Sequence, residues 1–188
     1  SKMIDKRAFY NEAHVIKILF LLEKQPLGRM KLMTLLGLNE ASVKTLLRNL
    51  KEEKLIVSNK KGHSLTEGGK KFVRKLKSVM SEPMKIDVSD YTVSKENFVV
   101  VVKNASQKVK FGLEQRDEAI KIGADGATTL IFKNGMLWFP GTEKKVVGIT
   151  AVISKYFDLS EGDVVIIGSA KEPKKAEEAS IMAALSLF

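Results

Sequence analysis

The stretch Asn39–Lys77, NEASVKTLLRNLKEEKLIVSNKKGHSLTEGGKKFVRKLK, decides the fold of the first part of the chain. Its beginning predicts a helix from about Asn39 to Lys54, because apolar residues recur at i, i+3, i+4 and i+7, at Val43, Leu46, Leu47 and Leu50. The turn Asn59–Gly62 separates two short strand-like runs and predicts a hairpin with glycine at a positive-φ position. A basic helix follows, from about Glu67 to Met80. The stretch therefore predicts helix, hairpin and helix in that order.

Two further helices are predicted upstream of this stretch. The first opens at Asn11 or Glu12 and ends at about Lys24. The second is short, from about Met30 to Leu36, and Asn39 suits the N-cap of the next helix because its side chain can accept from an unpaired N–H group. In the last helix four apolar side chains are expected to face inward, those of Phe72, Val73, Leu76 and Met80.

The helix that begins at Asn39 turns a polar, basic face away from its apolar one. The centre of that face is predicted to hold Lys44, Thr45 and Arg48, with Ser42, Asn49 and Lys51 on its flanks. Arg48 is the best candidate to read a base, because a guanidinium can pair bidentately with a guanine edge. Thr45 could contact a thymine methyl group or a phosphate, while Lys44 and Lys51 are expected to hold phosphates. Each side chain alone also fits an ordinary solvent-exposed helix position.

Basic residues at two other places extend this predicted surface. Lys60 and Lys61, with His63, lie at the hairpin, where the alternative is an ordinary polar turn. Arg29 and Lys31 open the short second helix, where backbone N–H groups also favour phosphate. The predicted DNA-binding residues are therefore Arg29, Lys31, Ser42, Lys44, Thr45, Arg48, Asn49, Lys51, Lys60, Lys61 and His63.

The positive charge of the chain is concentrated in its first part. Residues 1–81 hold 18 Lys and Arg against 7 Asp and Glu, a net charge of +11, whereas residues 82–188 hold 14 against 15, a net charge of −1. A domain this basic concentrates polyanions around it, although a merely Lys-rich, solvated surface is the alternative. The dominance of Lys, with only three Gln, leans towards a thermophile.

The change of charge coincides with the segment Ser81-Glu82-Pro83, where proline disfavours a continuing helix. We therefore predict two domains, residues 1–81 and residues 84–188, with the boundary between about Met80 and Lys85. In the second domain, the β-branched run Phe98–Lys103 predicts a buried strand, and Asn134-Gly135 predicts a hairpin between two strands. Helices and strands mixed at this spacing favour a small two-layer α/β domain. The predicted fold class of the whole chain is α+β.

The second domain has few residues suited to catalysis. The chain has no cysteine, and both histidines, His14 and His63, precede residue 81, which excludes Ser–His and Cys–His catalysis and histidine metal sites within residues 82–188. The segment Arg116–Thr129 contains small residues and an arginine fork for a carboxylate or phosphate. The predicted effector-binding residues are Arg116, Asp125, Gly126 and Thr128, with tight helix-to-strand packing as the alternative. No Walker or dinucleotide motif occurs, so no cofactor is expected.

The first domain resembles a known class of regulators. Leu50, Leu55 and Ile56, followed by Gly62, Leu65, Thr66 and Gly68, are spaced as in the third helix, wing and fourth helix of prokaryotic winged helix-turn-helix transcriptional regulators. The whole chain also resembles archaeal proteins that join such a domain to a C-terminal α/β domain. The resemblance implies DNA binding over residues 10–80, although winged helices also bind RNA or other proteins.

Together these features predict a transcriptional regulator that binds double-stranded DNA as a homodimer. The second domain is expected to bind a small-molecule effector, to dimerise, or both. The alternatives are an α/β enzyme with a winged-helix appendage, which the missing His and Cys disfavour, and an RNA-binding or protein-binding adaptor. Since no apolar run approaches the roughly 18 residues of a membrane span and no signal-peptide core is present, we expect a cytoplasmic protein without membrane contact.

Overall fold

The computed structural model describes residues 9–188. The chain divides into two compact units between Lys77 and Ser78. This division lies a few residues before the predicted end of the first domain at 81. The reason is a backbone pairing: Ser81 N donates to the carbonyl of Val101 at 2.9 Å, and Lys103 N donates to that of Val79 at 2.8 Å. Residues 79–81 therefore belong to the second unit.

The first unit consists of three helices, a hairpin and a fourth helix. In chain order these are α1 (Glu12–Lys24), α2 (Arg29–Leu36), α3 (Glu40–Glu52), β1 (Ile56–Asn59), β2 (Gly62–Leu65) and α4 (Glu67–Lys77). The predicted helix-hairpin-helix order is confirmed, and each apolar residue predicted on α3 is buried. The Asn39 side chain accepts from Ser42 N at 2.8 Å, as predicted for the N-cap of α3.

Two glycines allow close approach of backbone within this unit. Gly62 has φ +118°, as the hairpin prediction requires, and a Cβ built there would lie 2.5 Å from the carbonyl carbon of Leu27. Leu27 lies this close because it pairs with His63 through two backbone hydrogen bonds of 2.8 and 3.1 Å. Gly69 packs against the carbonyl oxygen of Leu55, which a Cβ would overlap. At Gly68, also part of the regulator-like pattern, a Cβ would make only ordinary contacts, the nearest at 3.5 Å to the carbonyl oxygen of Lys54.

Helix α4 buries less than its sequence predicts. Phe72, expected to face inward, is 43% exposed, while Val73 is fully buried and Leu76 is half-buried. The reason is that α4 packs on α1 and β2 along a narrow line that only Gly69 and Val73 occupy among its buried residues. Met80 is buried, but it pairs with Val102 and so lies in the second unit.

The second unit is built on a five-stranded antiparallel sheet. Its strands are β3 (Met84–Lys85), β4 (Glu96–Val102), β5 (Gly126–Lys133), β6 (Met136–Trp138) and β7 (Val164–Ala170), in the spatial order β3-β4-β7-β5-β6. Its α-helices are α5 (Leu113–Lys121), α6 (Val147–Ile153) and α7 (Pro173–Leu185). Asn134 and Gly135 both have positive φ and join β5 to β6, which confirms the predicted hairpin.

Helices cover this sheet on both faces. On one face α5 and α7 pack against β4, β5 and β7 through small side chains such as Ala119 and Ala179. On the other, Ile149 and Ile153 of α6 join a larger aliphatic cluster with Val99, Val165 and their neighbours. The central strand β7 is buried along its whole length as a result. The fold class of the chain is α+β.

Candidate nucleic-acid interface

The exposed face of α3 carries three basic residues one turn apart. Lys44, Arg48 and Lys51 are exposed, and Thr45 is half-buried beside them. Lys44 Nζ pairs with Glu40 Oε1 at 2.9 Å, one turn earlier. Arg48 and Lys51 form no ion pair with any residue in the described range 9–188. The guanidinium group of Arg48 and the ammonium group of Lys51 therefore project from a rigid helix into solvent, without a partner among those residues.

The first turn of α2 adds two exposed cations. Arg29 and Lys31 are exposed and, within the part of the chain that the structure describes, make no side-chain ion pair. The N-cap residue Gly28 offers no side-chain hydrogen bond, so the first N–H groups of α2 keep their capacity to donate. The N-terminus of α2 carries a partial positive charge, and the side chains of Arg29 and Lys31 add two full positive charges beside it.

The hairpin β1–β2 presents two lysines at a tight tip. Asn59 pairs with Gly62, which leaves only Lys60 and Lys61 in the loop, and both are exposed. The Asn59 side chain accepts from Lys61 N at 2.9 Å and fixes the turn. The strands are four residues long, and the terminal pair Asn59–Gly62 closes them directly around the two lysines. The two lysines at the tip are therefore carried by a backbone with little conformational freedom.

The surroundings of His63 show that these separate elements meet. Its Nδ1 lies 3.1 Å from Ser58 Oγ, and its ring is half-buried. Burial lowers the pKa of His63, and the positive charges of Lys51 and Arg29 lower it further. A charge acts this way only at short range. Helix α3, the start of α2 and the base of the hairpin consequently share one electropositive region.

Glu40, at the start of α3, is an acid of this region that the sequence analysis did not single out. Its pKa is held below the usual value by the hydrogen bond from Lys44, by the charge of Lys44 and then by the charge of Arg29. The spacing of Glu40 and Lys44, four residues apart on one helix, was the available signal. Glu40 links α3 electrostatically to the start of α2 and neutralises part of the lysine nearest to it.

Two predicted DNA contacts are used inside the protein. Ser42 is 1% exposed, and its Oγ accepts from Phe9 N at 2.8 Å, so the prediction that Ser42 contacts DNA is wrong. Asn49 is half-buried and donates from Nδ2 to the hydroxyl of Tyr10 at 2.6 Å. The segment before α1 covers this flank of α3, and helix periodicity contains no signal for such a contact. The exposed face is consequently narrower than predicted.

The predicted effector residues do not all come together. Arg116 and Thr128 line one cleft of about 390 Å³ in the second unit. Asp125 is exposed outside this lining, where its carboxylate accepts from the hydroxyl of Ser94. Gly126 is buried beneath the Arg116 side chain and is not part of the lining either. Thr129 lies in the segment Arg116–Thr129 but was not among the predicted residues. The apolar lining was missed because Phe111 and Phe139 lie outside that segment.

Across residues 9–188, no cluster of three or more histidine or carboxylate side chains is suited to hold a metal ion. Over that same range, the helices are too short or too polar to cross a bilayer.

Comparison with known proteins covers both units. Residues 13–71 match the model of the PH0730-like N-terminal domain, and residues 93–187 match that of a domain of unknown function, DUF4443. Among solved structures, the hypothetical protein PH0730 from Pyrococcus horikoshii OT3 is similar, with a TM-score of 0.78 and 38% sequence identity. The match covers 95% of this chain and 93% of that one. No curated protein matches the sequence.

Proposed function

The chain belongs to the archaeal-type PH0730-like family, and we propose that it is a DNA-binding transcriptional regulator. The observation that carries this proposal is a group of cations on three adjoining elements that form no salt bridge with an acid among residues 9–188. We name this group the basic surface, and it consists of Arg29, Lys31, Arg48, Lys51, Lys60 and Lys61. Unpaired like charges brought together on rigid elements raise the free energy of the isolated protein, and a polyanion offsets that cost.

The shape of the basic surface favours duplex DNA over a smaller anion. Helix α3 is 13 residues long and exposes one side, and a helix of that kind fits the major groove. Arg48 is placed at the middle of this side, where a bidentate contact to a guanine edge would give sequence preference. Lys60 and Lys61 at the hairpin tip and Arg29 at the start of α2 would hold phosphates on either side.

The second unit supplies the regulatory half of the proposal. We assign it effector binding, dimerisation or both, and no catalytic role. A homodimer would place two α3 helices about 34 Å apart, one turn of the duplex, and would bind a roughly palindromic operator. The weakly charged second unit adds little attraction for DNA of its own.

The proposal is tested by selection of bound duplexes from a random oligonucleotide pool with the full chain. An enriched motif is expected, and it should be lost when Arg48 and Lys60 are both changed to Ala. The matched control is the double change Lys144→Ala and Lys155→Ala, which removes the same charge from exposed positions of the second unit. Enrichment of no motif, or equal losses in both double variants, would overturn the proposal. Preferential recovery of single-stranded RNA in a parallel pool would instead indicate the adaptor.

A further inference from the structure

The cleft of about 390 Å³ in the second unit lies at the start of α5, beside the middle of β5 and a turn that follows β6. Its apolar lining comes from Phe111 and Leu113 at the start of α5 and from Phe139 and Pro140 after β6. The Phe111 ring leans on Gly141, where a Cβ would lie 2.8 Å from the ring. The turn itself is held by the Thr142 hydroxyl, which donates to the carbonyl of Phe139 at 2.9 Å. The Phe111 ring and the turn therefore hold each other in place, while Phe111 and Leu113 remain 69% and 52% exposed and open to a ligand.

The N-terminus of α5 opens into this cleft. The cap residue Gly112 has φ +82° and no side chain to accept from the helix. The first backbone hydrogen bond of the helix runs from Arg116 N to Gly112 O at 3.2 Å. Within the described residues, the three N–H groups before it, those of residues 113–115, have no acceptor. A nine-residue helix with an uncapped start favours an anion at that point.

Thr129 provides an independent indication of a ligand. The residue lines the cleft and is only 4% exposed, yet its Oγ1 has no hydrogen-bond partner. A Cβ built on Gly112 would lie 3.4 Å from that oxygen, so the hydroxyl sits beside the uncapped helix start. Buried hydroxyl groups are nearly always hydrogen-bonded in proteins. An oxyanion at the helix start is a suitable acceptor for this hydroxyl as well.

Arg116 supplies a positive charge at the same cleft. Its Nη2 lies 3.6 Å from Asp117 Oδ1, and both side chains are more than half exposed, so this pair is weak and easily exchanged. The other nearby acid, Glu114, is turned towards Lys110, with its Oε1 4.0 Å from Lys110 Nζ. A guanidinium prefers a carboxylate or phosphate that it can contact through two N–H groups.

From these contacts we infer that the cleft binds a small organic anion, in which a carboxylate or phosphate is joined to an apolar body. The oxyanion accepts from the first N–H groups of α5, from Thr129 Oγ1 and from Arg116. The apolar body packs between Phe111 and Phe139. As an account of effector binding, the inference rests on the proposed function, but the binding itself does not require DNA.

The test uses the full chain and its single tryptophan, Trp138, as a reporter. Trp138 shares with this cleft the neighbouring residues Phe139 and Pro140, so a bound aromatic probe should change its fluorescence. Phenylacetate and phenyl phosphate are the anionic probes, and phenylacetamide is the neutral match for the first. At least one anion should bind about tenfold or more tightly than phenylacetamide, and the better anion identifies carboxylate or phosphate as the preferred group.

Two variants and one control assign the signal to this site. Thr129→Val keeps the shape of the side chain but removes its hydroxyl. Arg116→Gln removes the charge of a half-exposed side chain. Each change should lower the affinity for the better anion by about fivefold or more. Lys121→Gln at the far end of α5 should leave the affinity unchanged. Equal affinity for phenylacetamide, no saturable change with either anion, or unchanged affinity in Arg116→Gln would overturn the inference. The titration contains no DNA, so its failure and a failure of DNA binding are separate results.

Discussion

The two units use basic residues in opposite ways. On α5 of the second unit, Lys121 faces Glu118 at 3.1 Å and Arg116 faces Asp117 at 3.6 Å, so each cation has an acid close by in sequence. On α3 of the first unit only Lys44 has such a partner, while Arg48 and Lys51 have none among residues 9–188. A similar content of lysine and arginine yields a nearly neutral surface in one part of the chain and a strongly charged one in the other, because residues 82–188 hold 15 acids and residues 1–81 hold 7. The number of acids and their pairing with the cations together distinguish a solvated surface from a candidate binding surface.

Of the effects that depend on this difference, the salt dependence of DNA binding should be the largest. If the six cations of the basic surface each neutralise a phosphate, log K should fall with log salt at a slope of about −5, or about a thousandfold between 50 and 200 mM salt. The measurement is fluorescence anisotropy of a labelled duplex. The double change Lys60→Ala and Lys61→Ala should reduce the slope by about 2, whereas Lys144→Ala with Lys155→Ala should not. A slope near zero would show that the basic surface does not neutralise phosphates.

A substitution that disturbs packing in the first unit should lower the stability of that unit and not that of the second. Gly69→Ala places a Cβ against the carbonyl oxygen of Leu55, and we expect it to destabilise the first unit by about 1–3 kcal/mol. Gly68→Ala is the control, because its Cβ would make only ordinary contacts and alanine favours a helix by about 0.5–1 kcal/mol. Denaturation is followed by circular dichroism for the helices and by Trp138 fluorescence for the second unit. Equal destabilisation by both changes would contradict this packing account.

Arg48→Lys tests whether the basic surface reads sequence or only attracts phosphate. The change keeps the charge but removes the planar fork, so discrimination at one base pair should fall by about 1–3 kcal/mol. The salt slope should stay the same, since the number of charges is unchanged. Affinities for the selected duplex and for its single-base variants measure both quantities. An unaltered preference at every base would assign Arg48 to phosphate binding.

His63 should give the smallest effect. Because its pKa is lowered in the folded protein, the unfolded chain takes up the proton first as pH falls. The stability that neutral His63 contributes is therefore present above pH 6.5 and is lost below it. Between about pH 7.5 and about pH 5.5 the loss should be less than about 1 kcal/mol, since the ring is partly open to solvent. His63→Gln should remove this part of the pH dependence of the unfolding midpoint.

The sequence predicted the elements of the fold well because local signals specify them. Helix α3 follows from leucine spacing, the hairpin from Gly62, and the β5–β6 turn from Asn134-Gly135. The depth of burial was harder to predict, because it depends on how wide the neighbouring surface is. Phe72 lies on the apolar side of α4, yet the line of contact there is too narrow to cover it.

The candidate sites were predictable to the extent that they lie on one element. Arg48 and Lys51 follow from a helical projection of α3, and Lys60 and Lys61 follow from a hairpin tip. Ser42 was misjudged, since the residue that covers it comes from outside the helix. The cleft beside α5 combines segments from Phe111 to Thr142. The hairpin signal brings Thr129 near Phe139, but no local pattern indicates that Phe111 should join them.

The double backbone pairing between Leu27 and His63 has a mechanical consequence. It adds a third, one-residue strand to the hairpin and attaches the hairpin to the connection between α1 and α2. The tip lysines and Arg29 therefore keep a fixed spacing, which neither thermal motion nor an approaching partner can adjust cheaply. If that spacing does not match an unbent duplex, the duplex and not the protein has to bend or change its groove width. Flexible steps such as TA or CA should accordingly be favoured at base pairs that no side chain touches.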